Sequence, residues 1–462
     1  PDPSPVSDLL AARSQMAMSL AFHIIFAMVG IGMPLLMVLA EWKHLRTGEA
    51  VYLDLAKRWA KGTAILFAVG AVSGTVLSLE LGLLWPGFMK FAGAIIGMPF
   101  SLEGFAFFTE AIFLGVYLYG WNRITPRAHL WAGVLVAVSG AVSGVFVVIA
   151  NAWMNAPIGF VMRDGVAVDI DPLLALTTPA ALPQTLHMTL AAYAGTGFAV
   201  AGIHAFFLRR HGRSGFHRKA LGIALRMAIP AALLQPLSGD LSAKAVATLQ
   251  PAKLAAMEGQ FTTERGAPLR IGGWPDEAAA QTRWSIDIPK ALSILAFGDP
   301  NAEVQGLDRV PRADWPPVAI VHVAFQLMVG LGSYMALLSL WALWSRWRKR
   351  DLANQRLLLL AIIAGTPMGF IATEAGWVVT EVGRQPWIVQ GVLRTADAVT
   401  PMPGLIVPFL LFTVLYVFLG VIVAYLLMRQ FAVAPTQTGT FRRPTPPAGT
   451  TPAGATAVAA GD

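Results

Sequence analysis

The sequence contains no cysteine. Disulfides, thiolate-bound metals and iron–sulfur clusters are therefore excluded, and histidine, methionine and carboxylates remain as metal ligands. Charge is also scarce: only 13% of the 462 residues are charged and 56% are hydrophobic, against about 25% charged in soluble domains. A soluble core of this size would need a charged shell, so lipid contact must replace the missing polar surface. A basic patch is missing too. The formal charge is +8, but the basic residues fall in short clusters between apolar runs, which argues against nucleic acid and for topology signals. The opening PDPSPVSDLLAARSQMAMSLAFH lacks the basic region and small-residue cleavage site expected of a removable signal peptide. The stretch 434 to 462, rich in Pro, Thr, Ala and Gly, has little to bury and is expected to be disordered.

Crossing a bilayer takes about 20 apolar residues, and nine segments qualify: 15–40, 63–82, 101–121, 131–150, 184–208, 220–240, 317–343, 357–380 and 403–428. The expected fold is an all-α, polytopic membrane helix bundle. Lys43, Arg46, Lys57, Arg58 and Lys61 follow the first segment, and Arg123 and Arg127 the third. Arg209, Arg210, Arg213, Arg218 and Lys219 follow the fifth, Arg346, Arg348, Lys349, Arg350 and Arg356 the seventh, and Arg429 the ninth. Every odd-numbered exit is basic, so the positive-inside rule puts the N-terminus outside and the C-terminus in the cytoplasm. Four regions follow: helices 1 to 6 in 1–240, an outer loop in 241–316, helices 7 to 9 in 317–430 and a cytoplasmic tail in 431–462. The outer loop is polar, of mixed charge, and carries Trp274, Trp284 and Trp315. Loops of that length are functional or disordered. No internal repeat is evident.

Five of the eight histidines have an ordinary explanation: His44, His129, His211 and His217 fall in basic cytoplasmic loops and His204 near the inner end of helix 5. His23, His187 and His322 lie in the outer halves of helices 1, 5 and 7. An imidazole in hydrocarbon needs a partner and marks a functional site. At 1.5 Å per residue, these three share an outer layer with Glu103 and Met328, while Glu80 and Glu381 close the outer ends of helices 2 and 8. A soft sulfur, imidazoles and carboxylates converging on one layer suit heme iron. A structural metal fits less well, since no H-x-x-H or D-x-D spacing appears. Met328 alone would be an ordinary core residue. Glu103 and Glu110, like Glu374 and Glu381, are seven residues apart and so share a helix face, a plausible proton relay.

Together these segments resemble subunit I of the cytochrome bd family of quinol oxidases. The resemblance rests on EAGWVVTEVGRQPW (374–387), RSQMAMSLAFH, ANAWMN (150–155), TLHMTL, KLAAMEGQ (253–260) and FQLMVGLG, in that family's order, and covers about residues 8 to 430. It implies a quinol:oxygen oxidoreductase of the bacterial cytoplasmic membrane that reduces dioxygen to water and is electrogenic without pumping. His187 and Met328 are implied as axial ligands of a low-spin heme b. His23 and Glu381 are implied at two high-spin hemes, a heme b and either heme d or a second high-spin heme b, with the assignment within the pair open. Glu103 is implied beside the oxygen-binding iron, Glu110 and Ser143 on the proton route, Trp377 beside the high-spin pair, and Arg384 at heme propionates. Lys253 and Glu258, in the outer loop, are implied in quinol oxidation. The implied partners are a second large membrane subunit and small single-helix subunits. Two features depart from some members: the Glu103–Glu110 spacing, and Gln326 where those members carry arginine, both resembling the cyanide-insensitive branch with its short outer loop. His322 has no implied role. The alternatives are a heme-free, proton-coupled transporter using Glu103, Glu110 and Glu381, and a heme b quinone oxidoreductase that never meets oxygen.

Overall fold

The structure, a computed structural model, describes residues 7–212 and 214–432. The stretch 434–462, expected to be disordered, and Arg213 lie outside the described residues. Among the described residues, nine helices are long and apolar enough to cross a membrane. Spans one to four are Asp8–Thr47, Ala50–Leu84, Pro86–Tyr119 and Pro126–Asn155. Five and six are Ala181–Arg210 and Gly215–Leu249; seven, eight and nine are Val318–Trp347, Arg356–Val382 and Ile406–Gln430. Each contains the core of one expected segment and overruns it at one end or both. Span one, at 40 residues, is about 60 Å long, roughly twice the hydrocarbon thickness.

The overruns have local causes. Ser7 accepts a hydrogen bond from the Leu10 N–H at 3.2 Å and so starts span one seven residues before its apolar run, while Gly48, at φ 70°, ends it. Thr125 and Ser214 cap spans four and six in the same way. Such caps satisfy orphan N–H groups and let polar turns join a helix. Span eight is interrupted between Ala364 and Met368, at Gly365, Thr366 and Pro367.

Packing arranges spans one to eight as two four-helix rings. In the first, one packs on two, two on three, three on four, and four back on one. Five, six, seven and eight repeat the cycle. The rings meet where spans one and four press on five, and span nine packs on one and two. This repeat escapes inspection of the sequence because it is carried by helix neighbours instead of by similar residues. Small residues allow the close crossings: a Cβ on Gly369 of span eight would lie 2.3 Å from the Gly195 Cα of span five.

The loop expected at 241–316 is shorter than that, because span six takes part of it, and it carries secondary structure of its own. Span six runs on to Leu249, and Pro251–Glu258 is a further helix capped by Gly259 at φ 61°. A nested antiparallel ribbon follows, pairing Leu269–Ile271 with Ile286–Ile288 and Trp274–Asp276 with Gln281–Arg283. The ladder Glu264–Arg265 with Glu303–Val304 closes its base. The all-α description thus holds for the membrane part, and the loop adds short strand pairs.

Two histidines expected in basic loops are buried in helices instead. His129, 2% exposed, places Nδ1 2.8 Å from a Glu41 oxygen and Nε2 2.9 Å from the Tyr117 carbonyl. His217 is also buried, with Nδ1 2.9 Å from Nδ1 of the buried His204. The helices extend past the apolar runs, so residues counted as loop pack between helix ends.

Candidate functional site

The first and fifth spans, each opening a ring, hold their histidines alike. His23 Nδ1 lies 2.9 Å from Ser73 Oγ of span two, and His187 Nδ1 lies 3.0 Å from Ser238 Oγ of span six. Each serine gives its own hydroxyl proton to a carbonyl of its helix, Ser73 to Gly70 at 3.0 Å and Ser238 to Gln235 at 2.9 Å. Toward the ring the serine oxygen can then only accept, so Nδ1 carries the proton and Nε2 keeps its lone pair. A glycine follows each serine. A Cβ there would stand 3.1 Å from His23 Cε1 at Gly74, or 3.5 Å from His187 Cε1 at Gly239. Gln235 adds one contact at His187, its Nε2 lying 3.2 Å from each ring nitrogen and 3.1 Å from the His187 carbonyl.

Spans five and seven, which carry His187 and Met328, stand diagonally in one ring, separated by six and eight. A Cβ on Gly376 of span eight would lie 3.0 Å from the Met328 sulfur, so the sulfur packs closely over this glycine. Spans one and three are diagonal in the same sense and carry His23 and Glu103. Ser143 of span four donates to Glu103 at 3.2 Å. Glu110, buried two turns further in, fills the space over Gly140, where a Cβ would meet its carboxylate at 3.0 Å. The expected shared face of Glu103 and Glu110 is therefore the face against span four. Gln15 and Ser19, two turns and one turn before His23, both donate to Glu80 Oε1, at 3.0 and 2.8 Å.

Glu381 sits at the seam of the two rings. Arg384 donates to its Oε2 at 2.5 Å and Asn151 of span four donates to its Oε1. Arg384 is 2% exposed, and its Nε and Nη1 are buried without a partner. Trp377 packs against a cluster of Ile24, Met28 and Ile31 of span one and Ala192 of span five. Glu374 keeps a buried, unpartnered Oε1.

The helix Pro251–Glu258 packs against these groups. Lys253, 3% exposed, crosses Gly383 and donates to Asn155 Oδ1 at 2.5 Å. Burial pulls its ammonium well below the ordinary lysine range, the nearby Arg384 adds to the fall, and Glu381 opposes it. Glu258 is equally buried, and its Oε2 has no partner. Burial pushes its carboxyl up to about 8, with Arg270 opposing. The two residues, five apart on one helix, face different neighbours: Lys253 the seam, Glu258 the ribbon. Arg270 of that ribbon donates to Gln260 Oε1. Gln326 clamps the same strand, accepting from the Gly272 N–H at 3.0 Å and donating to the Arg270 carbonyl at 2.9 Å. The position lacking arginine therefore anchors a loop arginine. His322 is a structural pin, its ring nitrogens 2.8 Å from the Met257 carbonyl and 3.0 Å from that of Gly272.

Two spaces adjoin these groups. A cavity of about 200 Å³ is lined by Lys253, Asp314, Arg384, Gln385, Trp387 and Gln390. An apolar groove of about 480 Å³ runs between spans seven and eight under Trp274, with Glu374 in its lining. Its wall residues Ala324 and Ala375 share an apolar cluster with Met257 and Met328.

Ser73, Ser238, Asn151, Asn155 and Arg270 are the residues missed from sequence. The usable signal was small: Ser–Gly pairs inside apolar spans, in AVSGTV and PLSGDL, each on the helix following a histidine-bearing one.

Residues 11–435 match the family described as cytochrome bd terminal oxidase subunit I. The chain is 38% identical over 435 residues to a Bacillus subtilis (strain 168) protein named as subunit I of a cytochrome bd menaquinol oxidase, covering 93% of this chain and 98% of that one. A second protein from the same strain, named cytochrome bd ubiquinol oxidase subunit 1, is 32% identical over 443 residues, covering 92% and 94%. Among solved structures, the bd oxidase from Geobacillus thermodenitrificans superposes with a TM-score of 0.88 at 38% identity, covering 93% of this chain and 99% of that one.

Proposed function

The chain belongs to the cytochrome bd terminal oxidase subunit I family, a heme-containing, membrane-embedded quinol oxidase component that works with a subunit II, and from that premise we propose how its residues divide the work. His187 and Met328 hold the low-spin heme b. His23 and Glu381 hold the two high-spin hemes, one of them heme d or a second heme b, with Glu103 opposite His23 and Trp377 beside the pair. The observation that carries this is the repeated imidazole–serine–glycine arrangement, which leaves both Nε2 atoms as neutral donors, the form a metal requires.

The residues fit the group by a second criterion. Lys253 and Arg384 are two buried basic groups beside one carboxylate, Glu381, and Arg384 retains two unpartnered donor nitrogens. A buried cation with open donors calls for an anion, which a propionate provides. When bound, the hemes supply the electron-accepting and dioxygen-reducing centres. The protein's own residues bind quinol, move protons and exclude water.

Quinol enters by the apolar groove under Trp274, whose walls continue into the cluster around Met257 and Met328. Glu258, positioned by the loop helix and by Arg270, takes a quinol proton and releases it outside. Protons for oxygen reduction come from the cytoplasm past Glu110, with Ser143 orienting Glu103 as the next acceptor. The N-terminus lies outside, the C-terminus inside, and the loop from Gln250 to Pro317 is the outer quinol-binding unit. Charge separates because protons and electrons reach oxygen from opposite faces; each charge moved across 100 mV is worth about 2.3 kcal/mol. Small single-helix subunits complete the assembly. The test is His187→Ala in the assembled enzyme: it removes the low-spin band and spares the high-spin bands, and retention of the low-spin band would reject His187 as its ligand.

A further inference from the structure

A continuous hydrogen-bonded chain crosses the seam between the two rings. Lys253 of the loop helix donates to Asn155 Oδ1 at 2.5 Å. Asn155 Nδ2 donates to Asn151, to its backbone oxygen at 2.9 Å and its Oδ1 at 3.0 Å. Asn151 Nδ2 then donates to Glu381 Oε1. Both asparagines are buried, one turn apart on the outer end of span four. Every donor points the same way, from amine to carboxylate, and aligned hydrogen bonds of this kind polarise one another. Each middle position must accept at one end and donate at the other, which the side-chain amide of asparagine does. Leucine does neither; aspartate accepts and cannot donate.

We propose that Asn151 and Asn155 are positioning residues that lock the loop helix Pro251–Glu258 to the carboxylate of Glu381, so that the quinol-side loop and the high-spin heme site share one mechanical and electrostatic link. It rests on the roles proposed above for Glu381 and for the loop. Three further observations support it. Lys253 runs over Gly383, where a Cβ would meet its Cγ at 3.0 Å, so its stem is held as well as its tip. Gln250, at the start of the same helix, donates to Gln390 at 3.1 Å beyond Arg384. The far end of the helix is pinned by His322 through the Met257 carbonyl, which makes Lys253 the anchor on the seam side.

The test is hydrogen exchange of the amides in 251–258, together with quinol kinetics and difference spectra, in the whole oxidase in nanodiscs. Asn155→Leu is expected to speed exchange about tenfold, as loss of one hydrogen bond to a buried amine implies, and to raise KM for quinol more than it lowers kcat. Asn151→Leu should give a smaller rise in exchange and alter the high-spin bands. Asn155→Asp keeps the acceptor for Lys253, so its exchange should stay within about twofold of the parent. The low-spin band should be unchanged in all three. Unchanged loop exchange in both leucine variants, or exchange raised equally throughout the protein, would overturn the proposal. Exchange needs no heme for its readout, whereas a heme-free parent enzyme would overturn the functional proposal itself.

Discussion

At the scale of single residues, Ser238 Oγ lies 3.0 Å from His187 Nδ1, and Ser238→Ala removes the acceptor that fixes the His187 tautomer. The expected result is a low-spin heme lost during purification or bound about 10- to 100-fold more weakly, measured by heme titration against the 280 nm absorbance. The heme-ligand candidates themselves are legible in the sequence because a polar side chain inside an apolar run has few other reasons to be there. His23, His187, Glu103 and Glu381 stand out on that ground, and Met328 only through the resemblance. Their supporting partners do not stand out. Serine, glycine and asparagine are ordinary in membrane helices, and Ser73 or Ser238 becomes informative only when a neighbouring helix brings an imidazole to 3 Å. Glu258 gives a second prediction. Its carboxyl, raised to about 8, is protonated below that pH and ionises above it, so kcat/KM for quinol should rise with pH through an inflection near 8. Glu258→Gln should abolish the inflection. Arg270→Gln, by removing the charge that favours the ionised form, should move it to higher pH; a shift to lower pH would contradict the proposed role of Arg270.

At the scale of elements, all nine spans are legible from apolar length, and the ends of span eight fall within two residues of expectation, whereas the starts of spans one to three lie 7 to 15 residues earlier. The cause is visible in span one, where Ser7 and Gly48 cap polar turns that hydropathy assigns to loops. The same error placed His129 and His217 in solvent, though both are buried between helix ends. The loop ribbon escaped notice because its strands are two or three residues long, too short for alternation to show. Helix crossings can be tested directly. Gly369→Ala puts a methyl 2.3 Å from the Gly195 backbone, and overpacking of this kind costs about 1–3 kcal/mol. The variant should unfold at a lower temperature in detergent, read by circular dichroism at 222 nm, while Gly391→Ala in the outer segment serves as a strained but non-packing comparison.

At the scale of the whole molecule, the two four-helix rings account for the layout of the proposed sites: each opens with a histidine span, and Glu103 and Met328 lie on the third span of each. The absence of cysteine makes the orientation testable by single introduced thiols. Ala279→Cys at the exposed ribbon tip should react with a membrane-impermeant maleimide in intact cells, and Arg348→Cys only after lysis. Reversed labelling would invert the proposed topology and with it the direction of charge transfer. The most direct measurement of all is the reduced-minus-oxidised spectrum of the purified two-subunit enzyme, with pyridine hemochrome analysis, beside the same spectrum for His187→Ala. Soret absorption with low-spin and high-spin bands in the parent, and loss of the low-spin band alone in the variant, is the expected result. A parent without Soret absorption, or a variant that keeps its low-spin band, would contradict it.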